Sequence, residues 1–207
     1  MTEEEARAWL QDRDVSRGTM DRLARFADLV LAENNQQNLI SKSTEPHIWA
    51  RHVVDSAQLF FLAPDSDSWH DLGSGPGFPG IVIAILSDAP ITLIEPRRRR
   101  VEFLQGVIDQ LGLVHAIVDP RRAEQSRRPP ADTLTARAYA PLDRIFASAG
   151  HLATANARWV LPKGRNAVSE LEATRKTWHG VFHVEQSVTD RDSSIIVATQ
   201  VRRREAS

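Results

Sequence analysis

Hydrophobic and polar residues follow two different patterns along the chain, and the change comes near residue 65. Before it, apolar residues recur every three to four positions, as they do on the buried face of a helix. This spacing predicts a helix over residues 3–12, a second that begins near Ser16 or Thr19 and ends at 33–38, and a third over 46–62. After it, short apolar runs of strand length alternate with helical patterns.

Seven of these runs have the length of strands. They are residues 68–72, 91–95, 115–118, 132–136, 157–161, 180–186 and 194–200. Because helical segments separate most of them, the pattern predicts a parallel sheet with helices on both faces. The last two runs have almost no helix between them, so they are expected to form a hairpin. The prediction is therefore an α/β fold: a seven-stranded, mostly parallel sheet with the last strand antiparallel over residues 65–207, and an N-terminal helical extension over residues 1–64.

Composition and charge exclude several classes of protein. The 207 residues include 26 Lys and Arg and 27 Asp and Glu, a formal net charge of -1, so the chain is not a polycation. The arginine run at 97–100 could still bind RNA phosphates, or it could stay solvated. There is no cysteine, which excludes disulfides, thiolate metal sites and cysteine nucleophiles. No apolar run approaches the length of a membrane span and the start is acidic, so we expect a cytoplasmic monomer without membrane or metal.

The segment from Trp69 to Gly80, W-H-D-L-G-S-G-P-G-F-P-G, separates a predicted strand from a predicted helix. Glycine and proline disrupt both structures, so we expect a turn that a ligand can approach closely. Asp71 stands two residues before the first glycine, and D-x-G-x-G-x-G is the form that S-adenosylmethionine-dependent methyltransferases use. A seven-stranded sheet with the last strand reversed is also their Rossmann-like class I fold. The alternative is a tight turn that binds nothing.

Ligands of such sheets bind outside the carboxyl ends of the strands. This rule selects residues 73–78, Glu95, residues 119–124, Arg137 and residues 162–164. Glu95 stands about twenty residues after the glycine segment, where a Rossmann-type fold places an acid on a ribose diol. Arg137 is expected to face both the cofactor and the substrate, and Lys163 follows the next strand in an equivalent position.

Other charged segments allow two interpretations each. Arg51 and Asp55 could belong to a site together with His52, or they could form a helix-surface ion pair beside a packing histidine. Residues 121–124 could contact adenine or form a solvated loop. The arginines at 202–204 are expected to form a flexible tail.

Six short motifs occur in a characteristic order. They are Asn38-Leu-Ile-Ser41, Arg51-His52-x-x-Asp55-Ser56, the glycine segment from Asp71 to Gly80, Arg99-Arg-Val-x-Phe-Leu104, Thr135-Ala-Arg-Ala138 and Pro162-Lys-Gly164. With them the chain resembles, over residues 20–200, the bacterial small-subunit ribosomal RNA guanine-N7 methyltransferases, the glucose-inhibited division protein B family. The resemblance implies methyl transfer from S-adenosylmethionine to N7 of a single guanine, in the guanine 527 region of 16S rRNA in the small ribosomal subunit.

The resemblance also implies roles for individual residues. The positions that match cofactor contacts are Gly73, Gly75, Phe78, Glu95, Ala123, Glu124 and Arg137. We expect Arg137, Lys163 and His52 to act in catalysis by holding the base or a phosphate. Guanine N7 carries an exposed lone pair, so the enzyme needs no general base and mainly positions the reactants. Glu95 stands where the family usually has aspartate and is followed by an unusual Pro96, which leaves its ribose role open. The four arginines at 97–100 replace residues that are commonly small and polar in the family, a departure that could change RNA affinity.

Two other functions are compatible with the sequence. The chain could methylate a different RNA, a protein or a small molecule, because a fold alone does not specify function. It could also be a non-catalytic module that binds S-adenosylmethionine or RNA without turnover. Residues 137–140 read R-A-Y-A and not N/D-P-P-[YF], which argues against methylation of an exocyclic amino group.

Overall fold

A computed structural model describes residues 1–204, and within them seven strands form a single sheet. The strands are β1 (Trp69–Leu72), β2 (Ile91–Ile94), β3 (Ala116–Asp119), β4 (Ala131–Thr135), β5 (Ala153–Lys163), β6 (Trp178–Gln186) and β7 (Ser194–Arg203). Their order across the sheet is β3-β2-β1-β4-β5-β7-β6. β7 runs antiparallel to β5 and β6, and the pairs from β3 to β5 are parallel. The predicted sheet with a reversed last strand is confirmed.

The last strand is longer than the sequence pattern predicts. β7 continues beside β6 until Arg203 lies opposite Trp178. The next amide, Arg204 N, donates to Thr177 O at 2.9 Å. The prediction of a flexible tail over residues 202–204 is therefore wrong, because main-chain hydrogen bonds to a neighbouring strand hold these arginines on the sheet.

Seven α-helices lie in the described part of the chain. They are α1 (Glu3–Gln11), α2 (Arg17–Gln37), α3 (Asp55–Phe61), α4 (Gly80–Leu86), α5 (Arg98–Leu111), α6 (Leu142–Ala149) and α7 (Ala167–Thr174). Thr2 and Glu5 form a reciprocal capping box at α1, and Ser16 Oγ accepts from Thr19 N at 3.1 Å at the start of α2. α5 is capped at its C-terminus by Gly112 in the left-handed conformation.

The segment predicted as one helix over residues 46–62 is divided into three. A 3₁₀ helix over Lys42–His47 precedes a π-helix over Trp49–Val54, which leads directly into α3. The first two amides of the π-helix donate to the Glu3 carboxylate at 3.0 and 2.9 Å. α1 therefore stabilises this wide turn, a form of helix that is rare and often found at functional sites.

The sheet has a hydrophobic core on each face. One core joins α4 and α5 to the N-terminal helices, whose Leu10, Leu23 and Phe26 are completely buried. The other core contains α6 and α7 and includes Phe146, whose ring centroid is 5.1 Å from that of Trp159. The apolar faces predicted from the helical spacing are thus buried against the sheet, which is the main source of stability. No helix within residues 1–204 is long and apolar enough to cross a membrane.

Gly80 begins α4 in a space that a side chain cannot enter. A Cβ atom there would lie 2.5 Å from Asp71 Oδ2 and would overlap Leu93 Cδ2. We expect Gly80→Ala to lower the free energy of unfolding by about 1–3 kcal/mol, because overpacking forces the neighbours to move. Gly106→Ala is the control, since open space surrounds that position in α5, and it should raise this free energy by about 0.5–1 kcal/mol. Urea denaturation measures both, and a Gly80→Ala variant as stable as the wild type would contradict the expectation.

Candidate active site

The glycine segment forms a loop between β1 and α4. Gly73, Gly75 and Gly77 have φ angles of 69, 54 and 95°, a region that residues with a Cβ rarely adopt. Gly73 N donates to Ile94 O at 2.8 Å, and Gly75 N donates to Glu95 Oε2 at 2.9 Å. These bonds hold the loop at the end of β2, on the carboxyl edge of the sheet.

The ring of Tyr139 lies against this loop. A Cβ atom at Gly73 would be 2.5 Å from Tyr139 Cδ2, so close packing requires glycine here as well. Burial raises the pKa of the Tyr139 hydroxyl. No sequence pattern indicated this contact, because it arises only from the pairing of β1 with β4.

A first cavity, of about 370 Å³, lies beside the ends of β1, β2 and β3. Its walls include Gly73, Ala123 and Glu124, three of the residues predicted to bind the cofactor, together with Arg97 and the Tyr139 ring. Ala123 is buried and begins a short 3₁₀ helix, whereas Glu124 is exposed. The structure therefore places the glycine loop next to Ala123 and Glu124, which belong to the segment predicted to contact adenine.

Glu95 lies buried beneath the first cavity. Its two carboxylate oxygens accept hydrogen bonds from Gly75 N and Arg97 N, both at 2.9 Å. Glu95 thus orders the glycine loop directly. Its predicted contact with a ribose stays a prediction.

The arginines at 97–100 and 121–122 differ in exposure: some pair with buried acids and others face solvent. Arg100 Nη1 lies 3.9 Å from Glu95 Oε2, and Arg121 Nε and Nη2 donate to the two oxygens of buried Asp119 at 2.7 and 2.9 Å. The arginines at 97–99 are exposed at the start of α5. Only part of each cluster is therefore available to a ligand.

A second cavity, of about 480 Å³, lies at the ends of β4, β5 and β7. Arg137 and Lys163, both predicted to act on the substrate, line it together with Arg51, Asp55 and Tyr139. Tyr139 belongs to the walls of both cavities, so the two are neighbours that share this residue. The described chain contains no group of three or more acidic or histidine side chains placed to hold a metal ion.

Arg137 follows β4 and is mostly buried. Its Nε atom lies 3.3 Å from Asp55 Oδ2, and Nη2 donates to Arg51 O at 2.9 Å and to His52 Nδ1 at 3.1 Å. Burial lowers the pKa of Arg137 and the charge of Asp55 opposes that shift. The guanidinium stays protonated, as arginine does throughout the physiological range. One side chain thus joins β4 to the π-helix.

His52 lies beneath Arg137, stacked against Phe78 with ring centroids 5.0 Å apart. Burial, together with the positive charges of Arg137 and Arg51, lowers the pKa of His52 to about 3, so the ring is neutral at neutral pH. Since Arg137 donates to Nδ1, the proton is on Nε2, which donates to Thr44 Oγ1 at 2.9 Å. Both ring nitrogens are therefore already engaged within the protein. The predicted contact of His52 with base or phosphate stays a prediction.

Lys163, at the end of β5, is held in a fixed orientation. Its Nζ atom donates to Ala140 O at 2.8 Å and to Glu170 Oε1 at 2.9 Å. Glu170 Oε1 also accepts from Leu142 N at 2.6 Å. An ammonium has three donors, so one of them is left for a ligand in the second cavity.

Asp71, the first acid of the glycine segment, is completely buried below the loop. Burial raises the pKa of Asp71 to about 7. Its Oδ2 atom accepts from Gly80 N at 3.1 Å, while Oδ1 has no hydrogen-bond partner within residues 1–204.

Sequence reasoning missed the true partner of Asp55. Arg51 and Asp55 do not form the helix-surface pair that their spacing allowed: Asp55 contacts Arg137, and Arg51 Nη1 lies 3.1 Å from Asp190 Oδ2. Asp190 and Gln58 also line the second cavity and were not singled out. No local signal could indicate these contacts, because the partners are distant in sequence.

The depressed pKa of His52 makes stability depend on pH. In the unfolded chain His52 binds a proton below about pH 6.5, whereas the folded protein does not until about pH 3. Above about pH 6.5, His52 therefore does not lower the free energy of unfolding. As the pH falls from 6.5 toward 3, this free energy decreases because only the unfolded chain binds the proton. At pH 5 the loss is roughly 2 kcal/mol relative to pH 8.

We expect His52→Gln, which preserves an acceptor for Arg137 and a donor for Thr44, to lose less stability than the wild type between pH 8 and pH 5. Urea unfolding at a series of pH values measures the difference. His183→Gln, at an exposed position of β6, is the control and should follow the wild-type curve. Parallel curves for the wild type and His52→Gln would rule out a neutral buried His52.

Known proteins match this chain over most of its length. The family model described as GidB, rRNA small subunit methyltransferase G, matches residues 19–195. A protein named ribosomal RNA small subunit methyltransferase G from Sphingopyxis alaskensis is 48% identical over 200 residues, which cover 95% of this chain and 86% of that protein. The protein of the same name from Rhizorhabdus wittichii is 46% identical over 208 residues, covering 99% and 95%.

Solved structures share the fold at low sequence identity. A methyltransferase from Geobacter sulfurreducens has a TM-score of 0.58 at 14% identity over 84% of this chain and 88% of its own. TYW2 from M. jannaschii, in complex with AdoMet, has a TM-score of 0.57 at 12% identity over 74% and 76%. The predicted class I methyltransferase fold is confirmed. On the evidence of the family match and of relatives nearly half identical to it, the chain belongs to the rRNA small subunit methyltransferase G family.

Proposed function

We propose that the protein is an S-adenosylmethionine-dependent methyltransferase that modifies small-subunit ribosomal RNA at N7 of one guanine, in the guanine 527 region of 16S rRNA. The observation that carries the proposal is the meeting of two cavities at Tyr139. One cavity lies beside the glycine loop, and the other has Arg137 and Lys163 in its walls. The names of the relatives supply the class of acceptor.

The first cavity fits the cofactor. Gly73 lines it at the glycine loop, Ala123 lies in its wall, and Glu124 offers an exposed carboxylate to hydroxyl or amino donors. When bound, S-adenosylmethionine supplies a methyl group activated by its sulfonium. Gly73, Gly75, Phe78, Glu95, Ala123, Glu124 and Arg137 form or support its site.

The second cavity fits a nucleophile that needs no deprotonation. Both nitrogens of His52 are engaged and its pKa of about 3 makes it a poor base at neutral pH. Asp55 is likewise committed to Arg137, Gln58 and Thr189. Guanine N7 has a free lone pair, so the protein has to supply orientation and exclusion of water rather than a base.

Cationic donors hold the base. Arg137 and Lys163 can donate to guanine O6, leaving N7 free to react, since O6 and N7 are neighbouring acceptors on the same edge. His52 acts through Arg137, whose orientation it fixes, and reaches base or phosphate only if Arg137 moves. The target guanine has to be unstacked and exposed in its RNA to enter this cavity. A cytoplasmic location and a monomeric state are further expectations of the proposal.

The reaction is tested with methyl-labelled S-adenosylmethionine and small ribosomal subunits that lack the modification. We expect label at N7 of a single guanine in 16S rRNA, because the site accommodates one base and leaves the lone pair of its N7 free to react. Nuclease digestion and mass spectrometry locate the label. Label on another atom or another molecule would redirect the assignment to a different acceptor. Cofactor binding without any transfer would identify a non-catalytic module.

Lys163→Ala tests the role of the second cavity. We expect the rate of transfer to fall by roughly 10- to 100-fold, the effect of losing one hydrogen bond from a charged donor, while cofactor affinity changes much less. Lys176→Ala, at an exposed site after α7, is the control and should behave as the wild type. An equal loss of transfer and of cofactor affinity in Lys163→Ala would assign Lys163 a structural role only.

A further inference from the structure

The second cavity continues past the end of β5 to the start of β7, a part that the proposed reaction leaves without a role. The wall there includes the connection between β6 and β7, residues 187–193. Gln58 and Asp55 fasten this connection: Gln58 Oε1 accepts from Val188 N at 3.0 Å, and Asp55 Oδ1 accepts from Thr189 Oγ1 at 2.8 Å. The connection is therefore a fixed wall of the cavity.

Asp190 presents a carboxylate from this wall that is anchored and still has acceptor capacity. Oδ1 accepts from Asp192 N at 3.0 Å, and Oδ2 accepts from Arg51 Nη1 at 3.1 Å. These bonds, the first having the larger effect, together with a hydrogen bond from the Ser193 hydroxyl, hold the pKa of Asp190 below its usual range, so it is ionised at neutral pH. A carboxylate has about four acceptor sites, and these three donors leave one of them free. Asp55, the other acid of this cavity, already faces three donors.

The sheet sets the distance across the cavity. β4, β5 and β7 are neighbours, and Ser194 at the start of β7 pairs with Lys163 at the end of β5. Since adjacent strands lie about 4.8 Å apart, the backbone at the end of β4 is roughly 10 Å from the backbone at the start of β7. A purine fits between them with one edge toward each wall.

Guanine has different chemistry on its two edges. N7 and O6, on one edge, are acceptors, and the Watson–Crick edge beyond O6 carries two neighbouring donors, N1–H and the 2-amino group. If N7 faces the junction of the cavities at Tyr139, those donors face the β7 wall. Two parallel N–H groups match the two oxygens of one carboxylate, and rotation of the Ser193 hydroxyl frees the second acceptor site.

We propose that Asp190 is a specificity-determining residue that accepts hydrogen bonds from N1–H and the 2-amino group of the target guanine; the proposal rests on the proposed function. Arg51 holds the carboxylate in place and balances its charge. Adenine is rejected, because its N1 is an acceptor and position 2 has no amino group, so lone pairs would meet lone pairs. The site selects guanine by this repulsion as well as by attraction.

The test compares guanine with inosine, which differs only in lacking the 2-amino group. The full-length protein is assayed on small-subunit rRNA ligated with either base at the modified position. Wild type should prefer guanine by roughly 10- to 100-fold, the value of one hydrogen bond to a charged group. Asp190→Asn should methylate guanine more slowly, and its preference over inosine should shrink toward one.

Asp192→Asn is the matched control, because the exposed side chain of Asp192 pairs only with exposed Arg165 at 3.8 Å among the described residues, and its main-chain bond to Asp190 is preserved. It should keep the wild-type preference. A loop damaged by Asp190→Asn would slow both substrates equally and leave the preference unchanged. If Asp190→Asn keeps the wild-type preference for guanine over inosine, the proposal is overturned, however fast or slow the variant is.

A second measurement separates this inference from the proposed reaction. Calorimetric titration of the same proteins with guanosine and inosine 5′-monophosphates reports base recognition without methyl transfer. Wild type should bind the guanosine nucleotide more tightly, and Asp190→Asn should bind the two equally. If rRNA is not methylated but this pattern holds, the reaction fails and the role of Asp190 stands. Equal binding of both nucleotides by wild type overturns the role of Asp190, whatever the protein methylates.

Discussion

The ion pair between Arg137 and Asp55 is the interaction on which the site depends. Removing a guanidinium and a carboxylate from water costs several kcal/mol per ion, and good geometry with additional hydrogen bonds has to offset it. Arg51 O and His52 Nδ1 supply those bonds to Arg137. All three partners belong to the π-helix and the start of α3, so the arginine of a core strand is oriented by the N-terminal segment.

This dependence makes the N-terminal helices part of the site rather than an appendage. The Glu3 carboxylate of α1 binds the amides at the start of the π-helix, and the π-helix orients Arg137. From the same segment, Asp55 and Gln58 fasten the connection between β6 and β7. Elements from the beginning, middle and end of the chain thus meet around one cavity, and its shape depends on their correct packing.

The sequence was sufficient for features that are encoded locally. The glycine segment, Glu95 at the end of β2 and Arg137 after β4 could all be placed, because strand–turn–helix patterns and the carboxyl-edge rule need only neighbouring residues. The π-helix could not be predicted, since it depends on Glu3, more than forty residues away. Tyr139 and Asp190 were missed for the same reason: each acquires its partners only when the sheet forms.

The second cavity is nearly neutral in spite of its cations, and this suits the proposed chemistry. Arg137 pairs with Asp55, Lys163 with Glu170, and Arg51 with Asp190. In the proposed reaction, methylation at N7 gives the base a positive charge, which unpaired cations nearby would oppose. Because each cation lies beside an acid, the N–H groups of Arg137 and Lys163 can orient O6 of the guanine while the net charge around the base stays close to zero. If the proposed reaction takes place here, the acids do more than hold the cations in place: they make a cationic product acceptable in a cavity lined by arginine and lysine.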